Sequence, residues 1–102
     1  MKVIEKLEKQ IHEELHDAKK YIKCALMYKD EDRDLSDMYY QLSQDEMGHM
    51  EKLHKMVVSI IEDYRKEKGE PPADMLTLYN YLHEQDIEEA AEVKMLISMY
   101  KG

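Results

Sequence analysis

Apolar residues recur along most of the chain at alternating spacings of three and four, in three stretches separated by two short polar segments. This period matches one face of an α-helix and not the two-residue alternation of a strand. It predicts helices over residues 3–29, 35–68 and 73–100, with the third starting at 73 or 75. Asp32 or Asp34 suits the cap of the second helix, and Gly69, followed by two prolines, suits its end.

Three charged or polar residues interrupt the apolar stripes of the first two helices, and they are Glu14, Glu46 and His49. The stripe of the first helix consists of Ile4, Leu7, Ile11, Glu14, Ala18, Tyr21, Ala25 and Tyr28, and it is widened by Leu15, Ile22 and Leu26. The stripe of the second consists of Leu35, Tyr39, Leu42, Glu46, His49, Leu53, Met56 and Ile60. Burying such groups without partners is costly. We therefore expect the three side chains to point inward and to have partners there.

The third helix has two candidate apolar stripes. One contains Leu76, Tyr79, His83, Asp86, Ala90, Val93, Ile97 and Tyr100. The other contains Leu78, Leu82, Ile87, Ala91 and Met95. If the first stripe faces the other helices, Asp86 or His83 could add a ligand or a supporting hydrogen bond to a site there.

Composition narrows the class of protein. With 37% charged residues and no Phe or Trp, the chain suits helices better than sheets, and 102 residues suffice for a single domain spanning 1–102. Its net charge of −8 argues against binding to nucleic acid or to anionic membranes. No apolar run approaches the roughly 20 residues of a membrane span. One cysteine, Cys24, fits a reducing compartment, so we expect a cytoplasmic protein.

Glu46 and His49 are three residues apart, which places a carboxylate and an imidazole on one helical face. With Glu14, each chain supplies two carboxylates and one imidazole. Across a two-fold axis this set doubles to four carboxylates and two imidazoles, as in di-iron or di-manganese carboxylate bundles. Tyr39, about two turns before Glu46, could donate a hydrogen bond to this site. The sequence thus predicts an antiparallel two-helix hairpin plus a C-terminal helix, completed as a four-helix bundle by dimerisation.

The Glu14, Ala18 and Tyr21 pattern, followed by Glu46-x-x-His49, resembles the first helical pair of the ferritin-like superfamily. The similarity covers about residues 4–60 and is greatest to the encapsulated ferritins, with the rubrerythrins as another branch. It implies Glu14, Glu46 and His49 as ligands of a di-iron site between two chains that oxidises Fe(II) with dioxygen. It also implies an encapsulin shell as partner, although residues 98–102 contain no recognisable targeting tail.

Other functions fit the same residues. Glu14, Glu46 and His49 could form a metal-free polar cluster that fixes helix register in a helical oligomer acting as a protein-interaction module. A di-iron protein that reduces peroxide fits as well as one that oxidises Fe(II), and manganese fits the donor set as well as iron.

Overall fold

A computed structural model describes residues 2–102, which form three α-helices and no strand. The helices are α1 (Lys2–Tyr28), α2 (Arg33–Lys68) and α3 (Ala73–Lys101). The all-α prediction is confirmed, and the predicted ends lie within two residues of the observed ones. Within residues 2–102, no helix combines the length and the apolar character needed to cross a bilayer.

Both ends of α2 have the chemistry expected from the sequence. The Asp32 side chain accepts a hydrogen bond of 3.1 Å from the backbone N–H of Leu35, which satisfies a free donor of the first turn. At the other end Gly69 has φ 81°, and its N–H donates to the carbonyl of Arg65. A positive φ is costly for residues with a Cβ atom, so glycine suits this position.

The helices lie side by side in a rod of 55 × 20 × 18 Å. Helices α1 and α2 form an antiparallel hairpin, in which Ala25 contacts Ser36 and Ala18 contacts Ser43. Helix α3 runs parallel to α1: the Lys19 amine pairs with Glu92, and the Lys29 amine donates to the carbonyl of Tyr100. The antiparallel hairpin with a C-terminal helix is therefore present in one chain.

Two serines set the rotation of α2. Ser36 donates a hydrogen bond of 2.7 Å to the carbonyl of Ala25, and Ser43 donates one of 2.8 Å to that of Ala18. These four small residues are fully buried, which lets the two helices approach closely. The buried residues of α2 are Ser36, Ser43, Met47, Val57 and Ile61. The predicted stripe from Leu35 to Ile60 was thus displaced by one residue from the true core face.

Helix α1 buries part of its predicted stripe, together with two of the residues that widen it, Leu15 and Ile22. Half of that stripe is buried as expected, including Ile11 and Ala18, whereas Glu14 and Tyr21 are only half-buried. The complete buried face is Ile4, Glu8, Ile11, Leu15, Ala18, Ile22 and Ala25. One buried position, Glu8, lies outside the predicted stripe.

The structure distinguishes the two candidate stripes of α3. Asp86, Val93 and Tyr100, from the first stripe, are buried against the hairpin. Leu78, Ile87 and Met95, from the second, are about half exposed. The first stripe is therefore the packed face.

One side of the hairpin lacks a covering helix. Its side chains on α2, which we call the open face, are Leu35, Met38, Leu42, His49 and Met56. By helical phase they lie on the opposite side of α2 from Tyr40 and His54, whose rings stack on rings of α3. Much of the stripe predicted as core therefore faces away from α3.

Candidate metal centre

Glu14 of α1 and Glu46 and His49 of α2 converge beside the open face, and we call them the ligand cluster. Each offers one ligand atom, and these three atoms lie within 4.8 Å of one another. His49 Nδ1 is 3.5 Å from Glu14 Oε2 and 3.6 Å from Glu46 Oε1. Ligand atoms at about 2.1 Å from a tetrahedral ion are separated by about 3.4 Å. The two distances from His49 Nδ1 are therefore close to the separation of two ligands around a single ion.

The packing of the hairpin explains this convergence. The Ser43–Ala18 hydrogen bond fixes the register of the two antiparallel helices. Glu14 lies one turn before Ala18, and Glu46 lies one turn after Ser43, so an antiparallel pairing places both at the same level. His49 follows Glu46 by three residues and lies above it on the same side of α2.

The two carboxyl groups of the cluster face each other, and neither can donate a hydrogen bond when ionised. Glu14 Oε2 is buried and has no hydrogen-bond donor among the described residues. A hydrogen bond with Glu14, followed by burial, raises the pKa of Glu46 to about 7. Either a shared proton or a cation therefore has to lie between these oxygens. The donor set of two carboxylates and an imidazole fits iron or manganese.

In a single chain the ligand cluster is open to solvent on one side. The side chains of Glu14 and Glu46 are 27% and 19% exposed, but that of His49 is 55% exposed. The expectation that all three point inward is thus wrong for His49 in one chain. Three ligand atoms also leave coordination positions unfilled on an ion that takes four to six.

The structure places Tyr39 in an aromatic stack. Its ring lies between those of Tyr21 and Tyr28, with centroids 6.2 Å away on each side. This stack belongs to α1 and α2 near the turn that joins them. The role of Tyr39 as a hydrogen-bond donor to a bound species stays a prediction.

Asp86 is not part of the ligand cluster and contacts other residues. It is buried on α3, with Oδ1 3.7 Å from Nδ1 of His12, and its carboxyl group contacts that of Glu8. Sequence reasoning missed Glu8 because Leu7 was placed in the stripe of α1. The spacing of Glu8 from Ile4, Ile11 and Leu15, at four, three and seven residues, was the signal that could have identified it.

The pKa of Glu46 predicts how pH affects the metal-free protein. Its rise from 4.5 to about 7 means that, between these two pH values, the folded state binds a proton that the unfolded state has already lost. The contribution of this proton to the unfolding free energy is complete below pH 4.5 and is lost as the pH rises through 7. We expect Glu46→Gln to reduce the loss of unfolding free energy between pH 5 and pH 8, measured by urea denaturation in EDTA. The exposed Glu51→Gln is the control, and equal pH dependence in all three proteins would contradict the prediction.

Comparison with known proteins finds no match: no protein-family model, curated protein or solved structure is significantly similar to this chain.

Proposed function

We propose that this chain is an iron-binding ferritin-like protein whose di-iron carboxylate site forms between two copies. The observation that carries the proposal is the ligand cluster itself, in which three ligand atoms lie within 4.8 Å of one another and Glu14 Oε2 has no hydrogen-bond donor among the described residues. Fe(II) is the substrate, and each ion gives one electron to dioxygen or to peroxide. Mn(II) fits the same donor set.

A second copy would complete the site. Two chains related by a two-fold axis bring four carboxylates and two imidazoles together, which is the ligand set of di-iron bundles. The exposed His49 then gains the buried environment that a single chain does not provide. The 55 × 20 Å side of the rod has room for the roughly 800 Å² per partner that a stable interface buries.

The chemistry of the open face also supports a second copy as its occupant. Met38 and Met56 are 45% and 53% exposed, and Leu42 lies between them, one turn before Glu46. These apolar side chains lie on both sides of His49. If they packed against the same side chains of a second chain, they would exclude water from the imidazole. Two hairpins that pack face to face would form the predicted four-helix bundle, with each α3 on the outside.

The residues of the cluster would also handle protons. Binding of a cation requires the shared proton of Glu14 and Glu46 to leave, because a carboxylate ligand must be ionised. The pKa of Glu46, at about 7, lets this exchange occur near neutral pH. Glu46 is thus suited to release a proton as Fe(II) arrives and to take one up as Fe(III) departs.

An anaerobic titration with Fe(II) tests the proposal. We expect about one tightly bound iron per chain, because two chains share a pair of ions. Sedimentation of the same samples should show dimers or higher homo-oligomers, and subsequent addition of oxygen should be followed by loss of Fe(II). Failure to bind Fe(II) or Mn(II) would overturn the proposal and favour the metal-free interaction module. Two ions per chain would contradict the shared site.

A further inference from the structure

A second polar cluster lies on the other side of α1, against α3. Glu8 is only 3% exposed, and both of its carboxylate oxygens are buried without a hydrogen-bond donor among the described residues. A buried carboxylate without a partner carries a high desolvation cost. A proton or a cation beside Glu8 would offset this cost.

The group that faces Glu8 is another carboxyl group. Asp86 of α3 is 8% exposed, and the two carboxyl groups contact each other in the interface of α1 and α3. We call Glu8 and Asp86 the acidic pair. Two negatively charged carboxylates in contact repel each other unless one of them is neutralised or an ion lies between them.

A histidine lies beside the acidic pair. His12 lies four residues after Glu8, on the same face of α1, and its Nδ1 is 3.7 Å from Asp86 Oδ1. Two ligands of one ion at about 2.1 Å are separated by about 3.4 Å in tetrahedral geometry. The His12 side chain is 62% exposed, so it can turn toward an ion without displacing the core.

The three residues border a cleft, and His12 is their solvent-exposed member. Glu8, His12 and Asp86 line one open cleft of about 260 Å³ between α1 and α3. Lys9 and Gln85 also line the cleft. His54 and His83, with rings stacked at 5.2 Å, line a neighbouring cleft that Asp86 shares. Three of the five histidines of the chain thus lie around Asp86.

We propose that Glu8, His12 and Asp86 bind one Zn²⁺ ion that bridges α1 and α3, at a site separate from the ligand cluster. Two carboxylates and one imidazole suit Zn²⁺. The site lies within one chain and does not require a second copy. A bound ion would hold α3 against the hairpin by linking a ligand near the start of α1 to one in the middle of α3.

The test uses a protein in which the ligand cluster is disabled. In the triple variant Glu14→Gln, Glu46→Gln, His49→Ala, we expect calorimetric titration with ZnCl₂ at pH 7.5 to show one ion per chain. Adding Glu8→Gln or Asp86→Asn should weaken Zn²⁺ binding at least about 100-fold, since each removes a charged ligand. Zn²⁺ should raise the melting temperature of the triple variant and leave that of the Glu8→Gln protein nearly unchanged.

His16→Ala is the matched control, because His16 is also exposed on α1 and lies four residues after His12. If His16→Ala abolishes Zn²⁺ binding and Glu8→Gln does not, the ion sits on a surface histidine pair and the proposal is wrong. Failure of the triple variant to bind Zn²⁺ would also overturn it and leave a shared proton between Glu8 and Asp86. Neither result depends on whether the ligand cluster binds iron. Circular dichroism of each variant verifies that it is folded.

Discussion

His49→Ala should abolish stoichiometric binding of Fe(II) at the ligand cluster. His49 is the nitrogen ligand that each chain contributes to the cluster, and its Nδ1 lies 3.5 and 3.6 Å from the two carboxylate oxygens. Loss of a residue that merely orients a ligand costs about 10- to 100-fold in metal affinity, so we expect loss of a ligand itself to cost at least about 100-fold. Anaerobic titration at micromolar protein should then find no tightly bound iron, compared with about one ion per chain in the unmodified protein.

The fold of the His49→Ala protein should be intact, because the His49 side chain is 55% exposed in a single chain. His16→Ala is the control: His16 is an exposed histidine on α1, outside the ligand cluster. Equal iron binding by His49→Ala and the unmodified protein would refute the assignment of the ligands. Iron that remains in His49→Ala and disappears in Glu8→Gln would instead belong to the acidic pair.

A triple replacement of Glu14, Glu46 and His49 by leucine separates the two functional classes. If the cluster only fixes helix register, this protein should be as stable as the original or more so, because an apolar core commonly replaces a buried polar cluster without loss. It should also still bind any partner of the interaction module. If the cluster binds metal, the triple variant loses the increase in unfolding free energy that the ion supplies.

The sequence was sufficient to predict the helices and their boundaries because these depend on local chemistry. Asp32 and Gly69 mark the ends of α2 through a side-chain cap and a positive φ, and both are visible in the residues themselves. Convergence of the ligand cluster was also predictable, since Glu46 and His49 share a helical face and Glu14 interrupts an apolar stripe. Whether metal binds there stays a prediction.

Rotation of the helices about their axes could not be predicted, because it depends on contacts between them. Ser36 and Ser43 are polar residues, but their hydroxyl groups are satisfied by carbonyls of α1, so they occupy the core face of α2. Burial of these two serines turns α2 and moves Leu42 and His49 toward solvent. A hydrophobic pattern counts serine as polar and therefore selects the neighbouring positions.

Met56→Lys should prevent formation of the proposed dimer. Met56 is 53% exposed on the open face, two turns after His49, so a single chain tolerates lysine there. In the dimer the ammonium group would be placed in an apolar interface, where a charge without a partner is costly. A cost of about 1.4 kcal/mol per copy raises the dissociation constant tenfold, and a symmetric dimer contains two copies. We therefore expect an increase of at least about 100-fold, measured by sedimentation with and without Fe(II).

Met95→Lys is a closely matched control, because Met95 is a methionine of similar exposure, 57%, but lies on the outer side of α3. Both substitutions add the same charge to a helix, so a general electrostatic effect would appear in both proteins. If iron binding requires two chains, Met56→Lys should lose it together with the dimer, although it changes no ligand. A monomer that still binds one iron per chain at the ligand cluster would show that a single chain suffices, and it would contradict the shared site. If both variants remain dimeric, the second copy does not occupy the open face.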